Sequence, residues 1–226
     1  WYSFASGACW AFGQMNQYRS FLQIGVSNAM PVSTGMQLVS TSLVGVLVFG
    51  EWPTLADKVL GFCAIALIVL GIYLTTHQEG EGHEGVDMRA GVITLLISTV
   101  GYVGYSYFPR AGHVDGQDAF LPQAVGMVAM SLVMPLFFRG SKPFNRKTVQ
   151  NLLGGFIFAA AALAYLLSAY RNGIATGFTL SQMNVVLATL GSIYILGEKK
   201  TRKEMRHVLT GLALVVAGGI MIGLNA

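Results

Sequence analysis

The chain has 226 residues, of which 54% are hydrophobic and 11% charged, against roughly 25% charged in an average soluble domain; an ordinary soluble enzyme is excluded. Glycine supplies 28 residues but proline only 6, with no Gly-X-Y period, which excludes collagen-like and disordered chains. The formal charge of +4 is what basic loops at a membrane surface require, so it is read as topology and not as a nucleic-acid surface.

Apolar runs bounded by charges give eight expected helices, since about 20 apolar residues cross a bilayer core. In chain order they are Trp1–Phe21, Ala29–Phe49, Leu55–Thr75, Ala90–Phe108, Ala119–Phe138, Val149–Tyr170, Gly177–Leu196 and His207–Leu224. The expected fold is an all-α, multi-pass transmembrane helical bundle. The pairs Ser3/Gly7 and Gly219/Gly223 and the run Ala159–Ala164 read as close helix packing. Cys9 and Cys63 each sit in an apolar run and read as small buried hydrophobes. Tyr107, Phe108 and Tyr170 read as interfacial anchors.

If the spans alternate, one face holds Arg19, Arg89, Arg139, Lys142, Arg146, Lys147, Lys199, Lys200, Arg202, Lys203 and Arg206, and the other only Lys58, Arg110 and Arg171. The basic face is assigned to the cytoplasm, which puts Trp1 and Ala226 outside. The Gly- and Glu-rich run 76–89 is an expected cytoplasmic hinge, with His77 and His83 as part of a solvated linker and not a metal site.

Met36–Gly71 matches Met183–Gly218 at a constant offset of 147, with identities at Met36/Met183, Leu43/Leu190, Gly50/Gly197, Glu51/Glu198, Thr54/Thr201 and Gly71/Gly218. Tyr18-Arg19 and Tyr170-Arg171 each close a helix. Five expected helices separate the two Gly-Glu turns, so the turns face opposite sides and the halves are inverted-topology repeats. Residues 1–75 then form an N-terminal repeat lacking its first two helices, and 90–226 a complete five-helix repeat. The expected parent is five plus five, with eight helices in this chain.

Four stretches carry a resemblance: GVSNAMPVSTGMQLV (Gly25–Val39), GEW (Gly50–Trp52), DAFLPQAVGM (Asp118–Met127) and YRNGIATGFTLSQMNVVLATLGSIYILGEKK (Tyr170–Lys200). Over its whole length the chain resembles the glucose/ribose porter family of bacterial sugar uptake proteins, within the drug/metabolite transporter superfamily. The resemblance implies ten helices in two inverted repeats, a cell-membrane location and uptake of a neutral monosaccharide such as glucose or ribose, with proton coupling commonly proposed. The lipid bilayer is the other expected partner. No cofactor or metal is expected, and neither nucleic acid nor an oligomeric state is called for.

A sugar leaving water needs replacement hydrogen bonds, because each unmade one costs about 1–3 kcal/mol. Trp10, Gln14 and Gln17 fall at i, i+4, i+7 on one stripe of the first helix, with Asn16 off it. Gln37 and Asn184 occupy equivalent places in the two repeats and form the sharpest expected pair. Gln182 points roughly 200° away from Asn184 on a helix, so the two cannot face one cavity equally. Ser98, Tyr102 and Tyr105 form another stripe, Tyr165 lies deep in an Ala/Leu-rich helix, and Gln123 follows Pro122. The ten candidates are thus Trp10, Gln14, Gln17, Gln37, Tyr102, Tyr105, Gln123, Tyr165, Gln182 and Asn184. Interhelical bonding is the alternative role for Gln14, Gln17, Gln37 and Asn184, and a structural kink role the alternative for Gln123.

No ionisable side chain lies in the middle third of an expected helix. Proton coupling is therefore left to the absent helices, to Glu51 or Asp57 near a turn, or to no residue at all. HExxH, GxSxG and Walker A motifs are missing, which argues against an enzyme. The competing functions are an exporter of drugs or amino-acid metabolites from the same superfamily and a non-transporting membrane interaction protein.

Overall fold

The computed structural model describes residues 1–75, 87–137, 146–181, 183–195 and 201–224. In order these form α1 (Tyr2–Ile24), α2 (Val26–Phe49), α3 (Leu55–Thr75), α4 (Met88–Ala111), α5 (Gly116–Val133) continued by a 3-10 turn (Met134–Phe137), α6 (Arg146–Gln150), α7 (Leu152–Asn172), α8 (Ile174–Ser181), α9 (Asn184–Tyr194) and α10 (Arg202–Leu224). No strand occurs among the described residues. Most of the hinge, including His77 and His83, lies outside them, as do Gln182 and the Gly197-Glu198 turn.

Among the described residues, seven segments are long and apolar enough to cross a membrane. Large apolar side chains such as Leu47, Val100, Phe156 and Leu187 face outward, while Ser6, Ser33, Thr41, Ser98 and Thr179 are buried. This inverts the soluble pattern, because lipid solvates an apolar exterior and polar groups must find partners inside. The chain is a multi-pass membrane protein.

α1 has the length of a span, at 23 residues, but is too polar to be among the seven. It lies against α2, α4 and α5, so little of its surface needs to be apolar. A Cβ on Gly7 would collide with the Gln123 carbonyl oxygen of α5, and one on Gly126 with that of Phe4. On the α4 side, Ser98 Oγ donates to the Gly13 carbonyl at 2.7 Å, and a Cβ on Gly101 would press on the Cys9 carbonyl. Small residues let the backbones touch, and the hydroxyl proton then reaches the opposite helix.

The expected seventh helix, Gly177–Leu196, starts earlier and is interrupted. α8 begins at Ile174 and ends at Ser181, and α9 begins at Asn184. Around the interruption, i→i−3 bonds replace the α-helical ladder: Met183 N to Leu180 O and Val186 N to Met183 O, each at 3.2 Å. The expected sixth helix is likewise preceded by the short α6, and the loop ends of the first two helices come closer than expected, with Gly25 alone joining α1 to α2.

Several local devices recur at matched positions. Gly25 joins α1 to α2 with φ 76° and ψ 160°, and Gly173 joins α7 to α8 with φ 83° and ψ 163°; this positive-φ conformation carries little cost only for glycine. Before α3, Thr54 N donates to Asp57 Oδ2 and Asp57 N to Thr54 Oγ1. Before α10, 147 positions on, Thr201 N donates to Glu204 Oε2 and Glu204 N to Thr201 Oγ1. Each is a reciprocal capping box. α3 and α10 pack together: a Cβ on Gly71 would strike the Gly211 carbonyl, and one on Gly218 would press on the Ala64 carbonyl. The residue number rises on one helix as it falls on the other, so the two run antiparallel.

The Gly-Glu turn after α2 ties the bundle together. Trp52, at φ 59°, buries its ring over Gly61, where a Cβ would overlap the indole. The Glu51 carboxylate reaches across to the start of α8, accepting from Ile174 N at 2.7 Å and from Ala175 N at 2.8 Å. A carboxylate on a helix N-terminus satisfies otherwise unpaired N–H groups and complements the helix dipole.

Candidate functional site

A cavity of about 1090 Å³ lies between α1, α2, α4, α7, α8 and α9. Trp10, Gln14, Gln17, Gln37, Tyr102, Tyr105, Tyr165 and Asn184 all line it. Each reaches it for a local reason. The Trp10/Gln14/Gln17 stripe follows the helical period along one side of α1, and on α2 the same spacing brings in Met30, Thr34 and Gln37. Asn16, off the stripe, is buried and donates to its own helix at the Phe12 carbonyl, 2.9 Å away.

The polar wall is a network across three helices. Gln17 Nε2 donates to Ser33 Oγ at 2.9 Å, and Gln37 Nε2 donates to the same oxygen at 2.7 Å. The Tyr102 hydroxyl lies 2.8 Å from Gln14 Oε1 and 2.7 Å from Gln17 Oε1. A phenol has one proton, so it satisfies one of these two carbonyls at a time. Gln17 Oε1 also accepts from Gln14 Nε2, at 3.3 Å, so Gln14 Oε1 is left short of a donor whenever the phenol turns to Gln17. This wall therefore has acceptor capacity to spare, which a hydroxyl donor entering the cavity would use.

Aromatic rings make up the adjoining lining. The Trp10 ring lies over Phe158 of α7 with centroids 4.4 Å apart and planes tilted by 32°. Tyr105 stacks on Tyr165 at 5.1 Å and 24°, and Phe178 of α8 meets Tyr165 edge-on at 5.9 Å. Asn184 opens α9 beside the helix interruption, where first-turn N–H groups lack intrahelical acceptors. It is exposed to the cavity, whereas Gln37 is buried. No Asp, Glu, Lys, Arg or His is among the described residues that line the space, nor does any described cluster of His, Cys, Asp or Glu suit a metal.

Gln123 is placed elsewhere. It is buried between α5 and α1, and its Nε2 donates to Ser6 Oγ at 2.7 Å, while Ser6 Oγ donates to the Tyr105 carbonyl at 2.6 Å. Its amide joins three helices and does not line the cavity. Ser98, the first member of the Tyr102/Tyr105 stripe, is likewise spent on the α1–α4 contact. Gln182 lies outside the described residues.

Sequence reasoning passed over Thr34, Phe158, Asn151 and Thr189, all of which line the cavity. For Thr34 the signal was available, because 30/34/37 repeats the spacing of 10/14/17. For Asn151 and Thr189 no local pattern marked them, since their placement depends on how α7 and α9 tilt against α2.

Comparison with known proteins gives the chain's family. The family described as sugar transport protein matches residues 1–225. A protein of Listeria monocytogenes named for sugar uptake is 52% identical over 223 residues, covering 98% of this chain and 78% of its own length. One of Latilactobacillus sakei named for ribose uptake is 47% identical over 220 residues, covering 95% and 75%. One of Priestia megaterium named for glucose uptake is 47% identical over 223 residues, covering 97% and 77%. The chain belongs to the family of sugar transport proteins.

Proposed function

We propose that this protein takes up a neutral monosaccharide of the glucose or ribose class across the cell membrane, by alternating access around the cavity between α1, α2, α4, α7, α8 and α9. The observation that carries this reading is the lining: amides, hydroxyls and aromatic rings, with no ionisable residue other than tyrosine among the described residues. A neutral polyol is served by hydrogen bonds to its hydroxyls and by rings over its C–H faces, whereas an organic cation or anion calls for a counter-charge. The substrates named for the relatives, sugar, ribose and glucose, agree.

The carrier is built of two inverted repeats, 1–75 and 90–226, joined through 76–89. The antiparallel α3–α10 pair, the matched capping boxes and the matched Gly25 and Gly173 linkers support that division. Basic loops face the cytoplasm, with Trp1 and Ala226 outside. In this orientation the lining of the cavity reaches the cytoplasmic ends of α1, α2 and α7 at Tyr18, Phe21, Val26 and Asn151. An interrupted helix at such a site is the usual construction of secondary transporters.

Equilibrium binding to the purified full-length protein tests the substrate class. Glucose or ribose should quench or shift the Trp10 fluorescence in a variant whose other tryptophans are replaced by phenylalanine. Choline and neutral amino acids should neither do so nor compete. Binding of cations or amino acids without sugars would overturn the reading in favour of an exporter.

A further inference from the structure

A second pocket, of about 340 Å³, lies between the C-terminal ends of α4 and α7, the start of α5 and the start of α8. Its volume falls within the roughly 300–1000 Å³ of small-molecule sites. It shares two residues with the large cavity, Tyr105 and Tyr165. Along α7 the large cavity is lined from Gly154 to Tyr165 and the small pocket from Tyr165 to Tyr170; along α4 the division falls at Tyr105. α4 and α7 are read as running the same way through the membrane, so the two spaces lie on opposite sides of the stacked tyrosines.

We propose that the small pocket is an outer access vestibule that receives the sugar, and that the Tyr105–Tyr165 plate is the gate between it and the central cavity. The plate is one ring pair thick. It is held shut by the Tyr165 hydroxyl donating to Ser106 Oγ at 2.8 Å and by Phe178 edge-on behind Tyr165. Phe178 sits one helical turn after Ile174, whose N–H the Glu51 carboxylate holds. Glu51 is thus a positioning residue that fixes the helix backing the gate. On the vestibule side Arg110 and His113 line the pocket together with Ser106 and Tyr170. A guanidinium presents a planar fork of N–H donors, a match for two neighbouring hydroxyl oxygens of a sugar. This inference rests on the cavity being a sugar site, but the gate can be tested without sugar.

The test uses the full-length protein on a cysteine-free background, in right-side-out and inverted vesicles, with a membrane-impermeant maleimide. Ala169→Cys reports on the vestibule and Ala161→Cys on the cavity. The two cysteines should react from opposite faces. Tyr165→Ala, and independently Tyr105→Ala, should let the cavity cysteine react from the vestibule face as well, while Tyr165→Phe, which keeps the ring plate, should not. Reaction of both cysteines from one face only, or a cavity cysteine still shut off in both alanine variants when each is inserted in normal amount, would overturn the gate. Glucose and ribose should slow labelling of Ala169→Cys, and Arg110→Met should abolish that protection. Protection of Ala161→Cys without protection of Ala169→Cys would overturn the vestibule as a sugar site. Protection of neither, with the gate intact, would instead count against the sugar-carrier reading itself.

Discussion

Gln37 and Asn184 hold matched places in the repeats but different environments, and substitution should separate them. Asn184 is exposed to the cavity at the start of α9, so Asn184→Leu should lower sugar affinity by about 5- to 150-fold, the equivalent of about 1–3 kcal/mol for one lost hydrogen bond to a desolvated hydroxyl. Its thermal stability in detergent should stay near wild type. Gln37 is buried and donates to Ser33 one turn back on its own helix, so Gln37→Leu should lose affinity and stability together, the latter by about 0.5–1.5 kcal/mol for one intramolecular hydrogen bond. Unchanged affinity in both variants would remove the pair from the site. The sequence showed these amides as a pair because each follows an aligned methionine. Ser33, four residues before Gln37 on the same helix, was a readable partner; that its hydroxyl also takes the Gln17 amide appears only once α1 and α2 are packed. Gln123 is the reverse case: an amide after a proline suggested the cavity, and the partner that claims it, Ser6, lies 117 residues away.

Among the elements, long apolar helices were legible from run length alone, and α3 has the same limits in sequence and structure, Leu55–Thr75. The interruption between α8 and α9 was not legible, because that run has no proline or charge to mark it. It arises where Met183 packs on Gly219 of α10, a tertiary contact. Two element-scale predictions follow from close packing and from the Glu51 contact. Gly71→Leu must force the Gly211 carbonyl aside and should destabilise by about 1–3 kcal/mol through overpacking, while Gly191→Ala, where a Cβ meets nothing, should be neutral or gain about 0.5–1 kcal/mol. Glu51→Gln replaces one acceptor with an amide donor facing Ile174 N or Ala175 N, and should cost about 1–3 kcal/mol. Thermal unfolding of the three variants in one detergent checks these values, and an unchanged Glu51→Gln would mean the α8 start is held by something other than the carboxylate.

At the scale of the whole molecule, the multi-pass helical bundle was legible in the sequence, because run length depends on composition rather than on tilt; of eight expected spans, seven described segments are long and apolar enough to cross and α1 has the length alone. The cavity was not: its volume and the split at Tyr105 and Tyr165 depend on the angles between α4, α7 and α8. Under the proposed inverted arrangement, cysteines placed in the Gly50-Glu51 turn should react with an impermeant thiol reagent from outside and those in the Gly197-Glu198 turn from inside; reaction of both from one side would contradict it. Transport itself is read most directly in proteoliposomes holding the complete protein, loaded with unlabelled sugar and given labelled glucose or ribose outside, with and without an inward proton gradient. Saturable uptake of labelled sugar, competed by neutral hexoses or pentoses and lowered by Asn184→Leu, is the predicted result. Stimulation by the gradient would assign proton coupling. No sugar flux from correctly inserted protein, or flux only of cations or amino acids, would contradict a neutral-sugar carrier.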